Sequence, residues 1–404
     1  MKEVTGGVAA PLGFTAAGIY CGVKQNSNKF DLALILSEIE CAAAAVYTKN
    51  QVKAAPIYIS QAHLANGRAR GIIANSGNAN ACAPLGLENA KRMASAAALA
   101  TGLCPDDFAV ASTGVIGVTL NIDSIEEGAP IAAAALSKEG SADAGTAILT
   151  TDLVPKELAV SLDIAGKTVT IGAIAKGSGM IHPNMGTMLC FCTTDCAIDS
   201  DLLQKTLTQV VNRTFNRITV DGDTSTNDTC FLLANGMAGN EPLQEGTPDY
   251  EAFCSALYHV FRYEARKIAG DGEGASHLIT CTVEGAATED SAEAMAKAVV
   301  GSSLVKAAIF GADANWGRVL CAVGYSGEIF DPMSVTVKFQ SEAGEITVCE
   351  HGQGLPFNEV LAKTVLTPWE ITILVALSQG DASATCWGCD LTYDYVKING
   401  DYRS

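Results

Sequence analysis

Ala175-Lys-Gly-Ser-Gly-Met-Ile-His-Pro-Asn-Met-Gly-Thr-Met-Leu189 places a lone cation, a glycine-rich turn and a small-residue junction in one short run. Lys176-Gly-Ser-Gly179 reads as a turn in which missing side chains let backbone and ligand approach closely. From Met185 to Cys192 the run turns apolar, as a buried strand would. Gly186-Thr187 sits at the entry to that strand. A cut between them would put a hydroxyl and a new α-amine on one residue. An α-amine titrates near about pH 8, close to where a general base works at neutral pH. That is the N-terminal nucleophile arrangement, in which threonine needs no separate histidine. From the residues alone, an ordinary Gly-Thr turn stays open beside it.

Outward from this run, the chain alternates hairpins with helices. Phe30–Leu36 and Gly71–Ala74 read as short buried strands, and Glu88–Thr101 as a helix ended by Gly102. Asp107–Ser112 is a strand leading into a Thr113-Gly114 junction. Leu158–Ile164 and Thr168–Ile174 alternate around Ala165-Gly166, a hairpin pattern. Helical spacing recurs over Asp201–Val211, Tyr250–Ile268 and Ser291–Val300, and a second hairpin spans Ser334–Gln340 and Glu345–Glu350. Leu391–Ile398 reads as a last strand. This mixture argues for an α+β class rather than repeated βαβ units.

Of 404 residues, 48% are hydrophobic and 17% charged, with 39 glycines. Such a chain buries extensive core and is not disordered. A net charge of −18 lacks the clustered Lys and Arg that bind phosphate backbones, so nucleic acid is not an expected partner. Mean hydropathy is +0.22, yet no uninterrupted apolar run approaches the roughly 18 residues of a membrane helix, so no membrane partner is expected. The opening MKEVTGGVAAPLGF carries Glu3 and a Gly/Pro break, unlike a secretory signal, so a cytoplasmic location is expected. The 14 cysteines then read mainly as reduced, buried small residues, including Cys190, Cys192 and Cys196 and the Cys386/Cys389 pair.

Generic motifs nearly match and fail. Gly166-Lys167-Thr168 lacks the earlier glycine of a phosphate loop and falls inside a hairpin. No GxGxxG follows a strand, and no GxSxG or HExxH occurs. Asp221-Gly-Asp223-Thr224 opens like the DxDxT motif of aspartyl phosphatases, but without that chemistry's later lysine and acidic pair. Caps and turns are the plainer reading of these side chains. His182 and His277 read as structural. Arg213, Arg217, Asp221, Asp223 and Asp228 read as a polar scaffold near the site.

The run KGSGMIHPNMGTML does not stand alone. With ASTGVIG (111–117), RTFNRITVDGDTSTNDT (213–229), GDGEGASHLI (270–279), GADANWGR (311–318) and YVKINGDYRS (395–404), the whole chain resembles the ornithine acetyltransferase, or glutamate N-acetyltransferase, family of arginine biosynthesis. The resemblance implies a layered α/β sandwich of the ornithine acetyltransferase/DmpA type that cleaves itself. Thr187 matches the nucleophile, freed when the precursor cuts between Gly186 and Thr187. The pieces 1–186 and 187–404 then stay as interlocked fragments of one catalytic unit. The family usually has Ala before the threonine; here Gly stands there, which puts the processing rate in question. Gly400 replaces a common Ala. Thr113 and Gly114 match the oxyanion hole. Thr150, Lys176, Thr187, Glu273, Asn399 and Ser404 match substrate-binding positions.

The implied reaction is ping-pong transfer of acetyl from N2-acetyl-L-ornithine to L-glutamate through acetyl-Thr187. Lys176 and a threonine hydroxyl suit an α-carboxylate, and Glu273 suits an ammonium group. No metal or other cofactor is implied; acetyl-CoA is a possible second acetyl donor. The resemblance also implies that α and β fragments associate, as an α2β2 heterotetramer. Two other readings remain: an N-terminal-nucleophile amidohydrolase or aminopeptidase with water as acceptor, and an uncleaved binding protein.

Overall fold

The computed structural model describes residues 1–24, 27–182 and 188–400. Gly186, Thr187 and Ser404 therefore lie outside the described residues. In chain order the strands begin with β1 (Lys2–Val4), β2 (Phe14–Ile19), β3 (Leu32–Tyr47), β4 (Arg68–Asn78), β5 (Phe108–Val115) and β6 (Lys156–Ile164). Next come β7 (Lys167–Lys176), β8 (Leu189–Thr194), β9 (Ile218–Thr219), β10 (Thr229–Ala234) and β11 (Leu278–Ala286). The last are β12 (Thr336–Ser341), β13 (Gly344–Glu350), β14 (Gln353–Gly354), β15 (Glu370–Ala376) and β16 (Ala382–Cys389). The helices begin with α1 (Ala55–His63), α2 (Gly86–Thr101), α3 (Ile122–Ala134), α4 (Ser141–Ala147), α5 (Ser200–Asn212) and α6 (Pro248–Gly270). They end with α7 (Glu289–Gly301), α8 (Ser303–Phe310), α9 (Trp316–Gly324), α10 (Glu359–Val365) and α11 (Tyr393–Gly400). This mixture is the α+β class expected from sequence.

Two compact units divide the chain. The first comprises Met1–Gly177, Pro183–Asn216 and Thr224–Glu264; the second comprises Ser178–His182, Arg217–Asp223 and Ala265–Ser404. In the first, the strand order is β1-β6-β7-β8-β10-β3-β4-β5, with β2 on β3. Thus β8 and β10, both after residue 187, stand between β7 and β3, both before residue 186. β8 runs antiparallel to β7, from Lys176↔Leu189 to Ile171↔Thr194. β10 runs antiparallel to β3, from Thr229↔Tyr47 to Ala234↔Ala42. The expected β6–β7 hairpin turns on Ala165 (φ 49°) and Gly166 (φ 79°), the two positive dihedrals its tight reversal needs.

Alternation along β3, β4 and β5 splits the core. Leu32, Leu34, Ile73, Phe108 and Val110 pack with Ala90, Met93, Ala94 and Ala97 of α2. On the other face, Ala33, Ile35, Ile72, Ala74, Ala109 and Ala111 share a core with Ile174, Phe191, Phe231 and Leu233 of β7, β8 and β10. The small alanines let the sheet curl over on itself. The β3–β4 ladder slips between Leu36 and Cys41. β3 is accordingly longer than the segment Phe30–Leu36 suggests. Helix α2 ends at Gly102 (φ 72°), as expected.

The second unit is built on the sheet β14-β13-β12-β15-β11-β16-β9. Val283, Val337, Ile373 and Cys386 pack with Met295, Ala296, Val299 and Val300 of α7. All 14 cysteines are free. Leu391–Ile398 is not a strand: β16 ends at Cys389 and α11 follows. Thr392 Oγ1 accepts from Tyr395 N, an N-terminal cap that starts a helix. The apolar residues that suggested a strand are largely in solvent, Tyr393 at 83% and Val396 at 68% exposure.

Candidate active site

The Thr113-Gly114 junction ends β5 beside β4. Ser76 pairs with Thr113 and Gly77 with Gly114, after which the register slips at Asn78. Gly114 (φ 134°) faces Gly77 (φ 98°). A Cβ on Gly114 would lie 2.3 Å from the Gly77 carbonyl carbon and 2.5 Å from Asn78 N, so only glycine fits. Buried amides fix this strand end. Asn227 Nδ2 donates to Ser112 O (2.7 Å) and Ala79 O (2.6 Å), while Ser112 Oγ donates to Asn75 Oδ1 (2.6 Å). Asn227 belongs to the 213–229 motif, which explains what that segment does here in place of phosphatase chemistry.

Lys176 is the last residue of β7, not part of a turn; the turn starts after it. Its side chain is buried, and Nζ donates to Thr113 Oγ1 at 3.5 Å. Four strands lie between β7 and β5 in the sheet, so the curl is what brings these two ends together. Asp152, which the sequence reading missed, binds the cluster. Its Oδ1 accepts from Lys156 Nζ (2.8 Å) and Gly177 N (2.6 Å), and its Oδ2 from Thr150 N (3.1 Å). Lys176 Nζ lies 3.9 Å from Oδ2. Burial opposes ionisation of Asp152, but Lys176 and Lys156 outweigh it and hold its carboxyl well below the usual carboxylate range. Lys24 Nζ donates to Leu149 O (2.9 Å), next to Thr150 in sequence. Burial lowers its pKa to about 8.

Glu273 and Asn399 meet in the second unit. Glu273, in the turn after α6, is only 7% exposed, whereas an acid among glycines reads as a surface turn. Its Oε2 accepts from Asn399 Nδ2 at 2.7 Å, and its N donates to Ser178 O. A Cβ on Gly179 would come within 2.7 Å of Oε2, so this glycine makes room for the carboxylate. Asp221 Oδ1 accepts from Ile181 N and Asp223 N. Arg217 is held by Glu289 and Glu293 of α7, and the Arg213 guanidinium lies over Tyr258. Arg213 and Arg217 thus have attachments apart from the Asp221–Asp223 turn. His277 bonds Asp390.

A family model, the ArgJ family, matches residues 15–404. The chain belongs to the ArgJ family. A relative from Symbiobacterium thermophilum, named arginine biosynthesis bifunctional protein ArgJ, is 52% identical over 406 residues, covering all of both chains. The protein of that name from Bacillus subtilis is 46% identical over 407 residues, covering 100% of this chain and 98% of the relative. The crystal structure of arginine biosynthesis bifunctional protein argJ from Bacillus halodurans aligns with a TM-score of 0.50 and 46% identity. It covers 98% of its own chain but 52% of this one.

In this ArgJ-family chain, His182 Nδ1 lies 3.0 Å from Thr219 Oγ1. Burial, with Lys297 nearby, lowers its pKa to about 4. The unfolded chain therefore binds this proton more readily than the folded one. Stability linked to His182 is complete above about pH 6.5 and is lost as pH falls towards about 4. The thermal midpoint of His182→Gln, followed across that window, should fall less steeply than that of the unaltered protein. Superimposable curves would remove His182 as the source.

Proposed function

We propose that this protein transfers acetyl from N2-acetyl-L-ornithine to L-glutamate in arginine biosynthesis, through an acetyl ester on Thr187. The observation that carries the site is the buried Lys176 ammonium. It has three protons to donate and, among the described residues, one long hydrogen bond beside the Thr113-Gly114 junction. An anionic substrate group is a fitting partner for the rest. Thr150, Lys176, Glu273, Asn399 and Ser404 bind substrate in this reading, with Lys176 on an α-carboxylate and Glu273 on an ammonium group.

Thr187 Oγ attacks the acetyl carbon while the Thr187 α-amine takes the hydroxyl proton. The oxyanion that forms is met by Thr113 Oγ1–H and Gly114 N–H, each such donor contributing about 3–4 kcal/mol to the transition state. The C–N bond then breaks, the amine returns the proton, and ornithine leaves. Glutamate's neutral amine attacks the acetyl ester, regenerating Thr187. Acetyl-CoA enters as a second donor. No metal or other cofactor has a role in these steps.

The chain is read as cutting itself into 1–186 and 187–404, which stay together and pair as α2β2. The placement of β8 and β10 within the sheet supports joined fragments. The half-length solved relative supports a cut, since nearly all of its chain aligns to about half of this one. Among the described residues no helix is long and apolar enough to cross a membrane, and the reading places the enzyme in the cytoplasm without membrane or nucleic-acid partners.

The test is product analysis with N-acetylornithine and glutamate together. Stoichiometric N-acetylglutamate and ornithine, with parallel double-reciprocal lines, are expected. Acetate as the main product would replace the transferase with an amidohydrolase, the reading in which water is the acceptor.

A further inference from the structure

We propose that Asp152 is the positioning residue of the acyl-transfer site, setting Lys176 and, through Lys176, the direction of the Thr113 hydroxyl proton. This rests on the reading that Lys176 and Thr113 serve the transfer.

The Asp152 side chain is fully buried. Its two oxygens tie Thr150 and Lys156, which flank it in sequence, to Gly177, the residue after β7. Two expected substrate-binding residues, Thr150 and Lys176, are thereby held by one carboxylate. The two lysines are treated differently. Lys156 makes a direct hydrogen bond at 2.8 Å, whereas Lys176 sits at 3.9 Å, inside the ionic attraction but beyond a hydrogen bond. Asp152 therefore holds the Lys176 ammonium in place without consuming its protons.

One of those protons goes to Thr113 Oγ1. An ammonium can only donate, so the hydroxyl accepts there and must send its own proton elsewhere. The direction left is towards a group outside this cluster, which is what an oxyanion donor requires. Because Asp152 stays ionised when buried, this ordering persists across the working pH range.

The test compares Asp152→Asn, Asp152→Asn/Lys156→Gln and Lys176→Ala in the full chain. In the folded Asp152→Asn protein, KM for N-acetylornithine and for glutamate should rise about tenfold or more, and kcat should fall at least about tenfold, the scale of a lost charged hydrogen bond. The preference for N-acetylornithine over N-acetylputrescine, which has the same amide and no carboxylate, should shrink with them. A residue that only supports the fold would change the folded fraction and leave that ratio alone. If Asp152→Asn does not fold because Lys156 is left as a buried cation, the double variant removes that cation and decides the matter. Unaltered KM values and substrate ratio in a folded variant would overturn the proposal. So would failure of both variants to fold, which would make Asp152 structural. Full activity of Lys176→Ala would instead refute the underlying site reading.

Discussion

Thr187→Ala is expected to run as one band of 41.8 kDa on a denaturing gel, however long it is incubated. The unaltered protein should show two bands, residues 1–186 and 187–404. In the proposed mechanism the variant lacks both the attacking oxygen for the cut and the nucleophile for acetyl transfer, so turnover should fall by roughly four to six orders of magnitude. Thr187→Ser keeps a hydroxyl on the same carbon and should be cut while retaining part of the activity. The two variants together separate nucleophile chemistry from simple loss of structure. Near-normal turnover by intact Thr187→Ala would end the mechanism.

Gly114→Ala should be the most damaging substitution in the described part of the site. The new methyl would meet two backbone positions, at 2.3 and 2.5 Å, and no rotamer change can move them away. The φ of 134° is itself unfavourable for alanine. Together these cost about 3 kcal/mol or more of stability. In the proposed mechanism, any shift that relieves the clash also moves the Gly114 N–H from the developing oxyanion. Thr113→Val is the companion measurement. It keeps the shape of a half-buried residue, removes the other donor, and should lower kcat about 100- to 1,000-fold with little change in the denaturation midpoint. A normal kcat in folded Thr113→Val would exclude its hydroxyl from the oxyanion hole.

Local signals in the sequence translated well into structure. Gly102 ends α2, and Ala165-Gly166 turns the β6–β7 hairpin, because both depend on backbone dihedrals that few residues adopt. The C-terminal segment misled because Leu391, Tyr393, Tyr395, Val396 and Ile398 make it rich in the residue types of strands, whereas the Thr392 cap decides for a helix. Lys176 was legible as a cation near glycines, but not as a strand end, since its strand partner Leu189 is distant in sequence. Asp152 gave no signal. It follows two threonines in an ordinary loop, and its importance arises only when folding brings Gly177 and Lys156 to its Oδ1. Glu273 looked solvent-exposed because its neighbours are glycines. In the fold its carboxylate lies against Gly179 and accepts from Asn399, both distant in sequence.

The position of β8 and β10 between β7 and β3 has a consequence for reversibility. Before a cut at residue 187 the sheet forms within one molecule, so refolding is a first-order process. After it, the same hydrogen-bonded ladders join two separate polypeptides, and regaining them depends on the fragments meeting. Each fragment alone would carry unpaired sheet edges, β7 and β3 on one and β8 and β10 on the other, which favour aggregation over reassembly. A processed molecule that unfolds would then be lost at dilute concentration, and its lifetime would be governed by the rate of unfolding rather than by an equilibrium. The cut that releases the catalytic amine would also make the order of events one-way, with folding first and chemistry second.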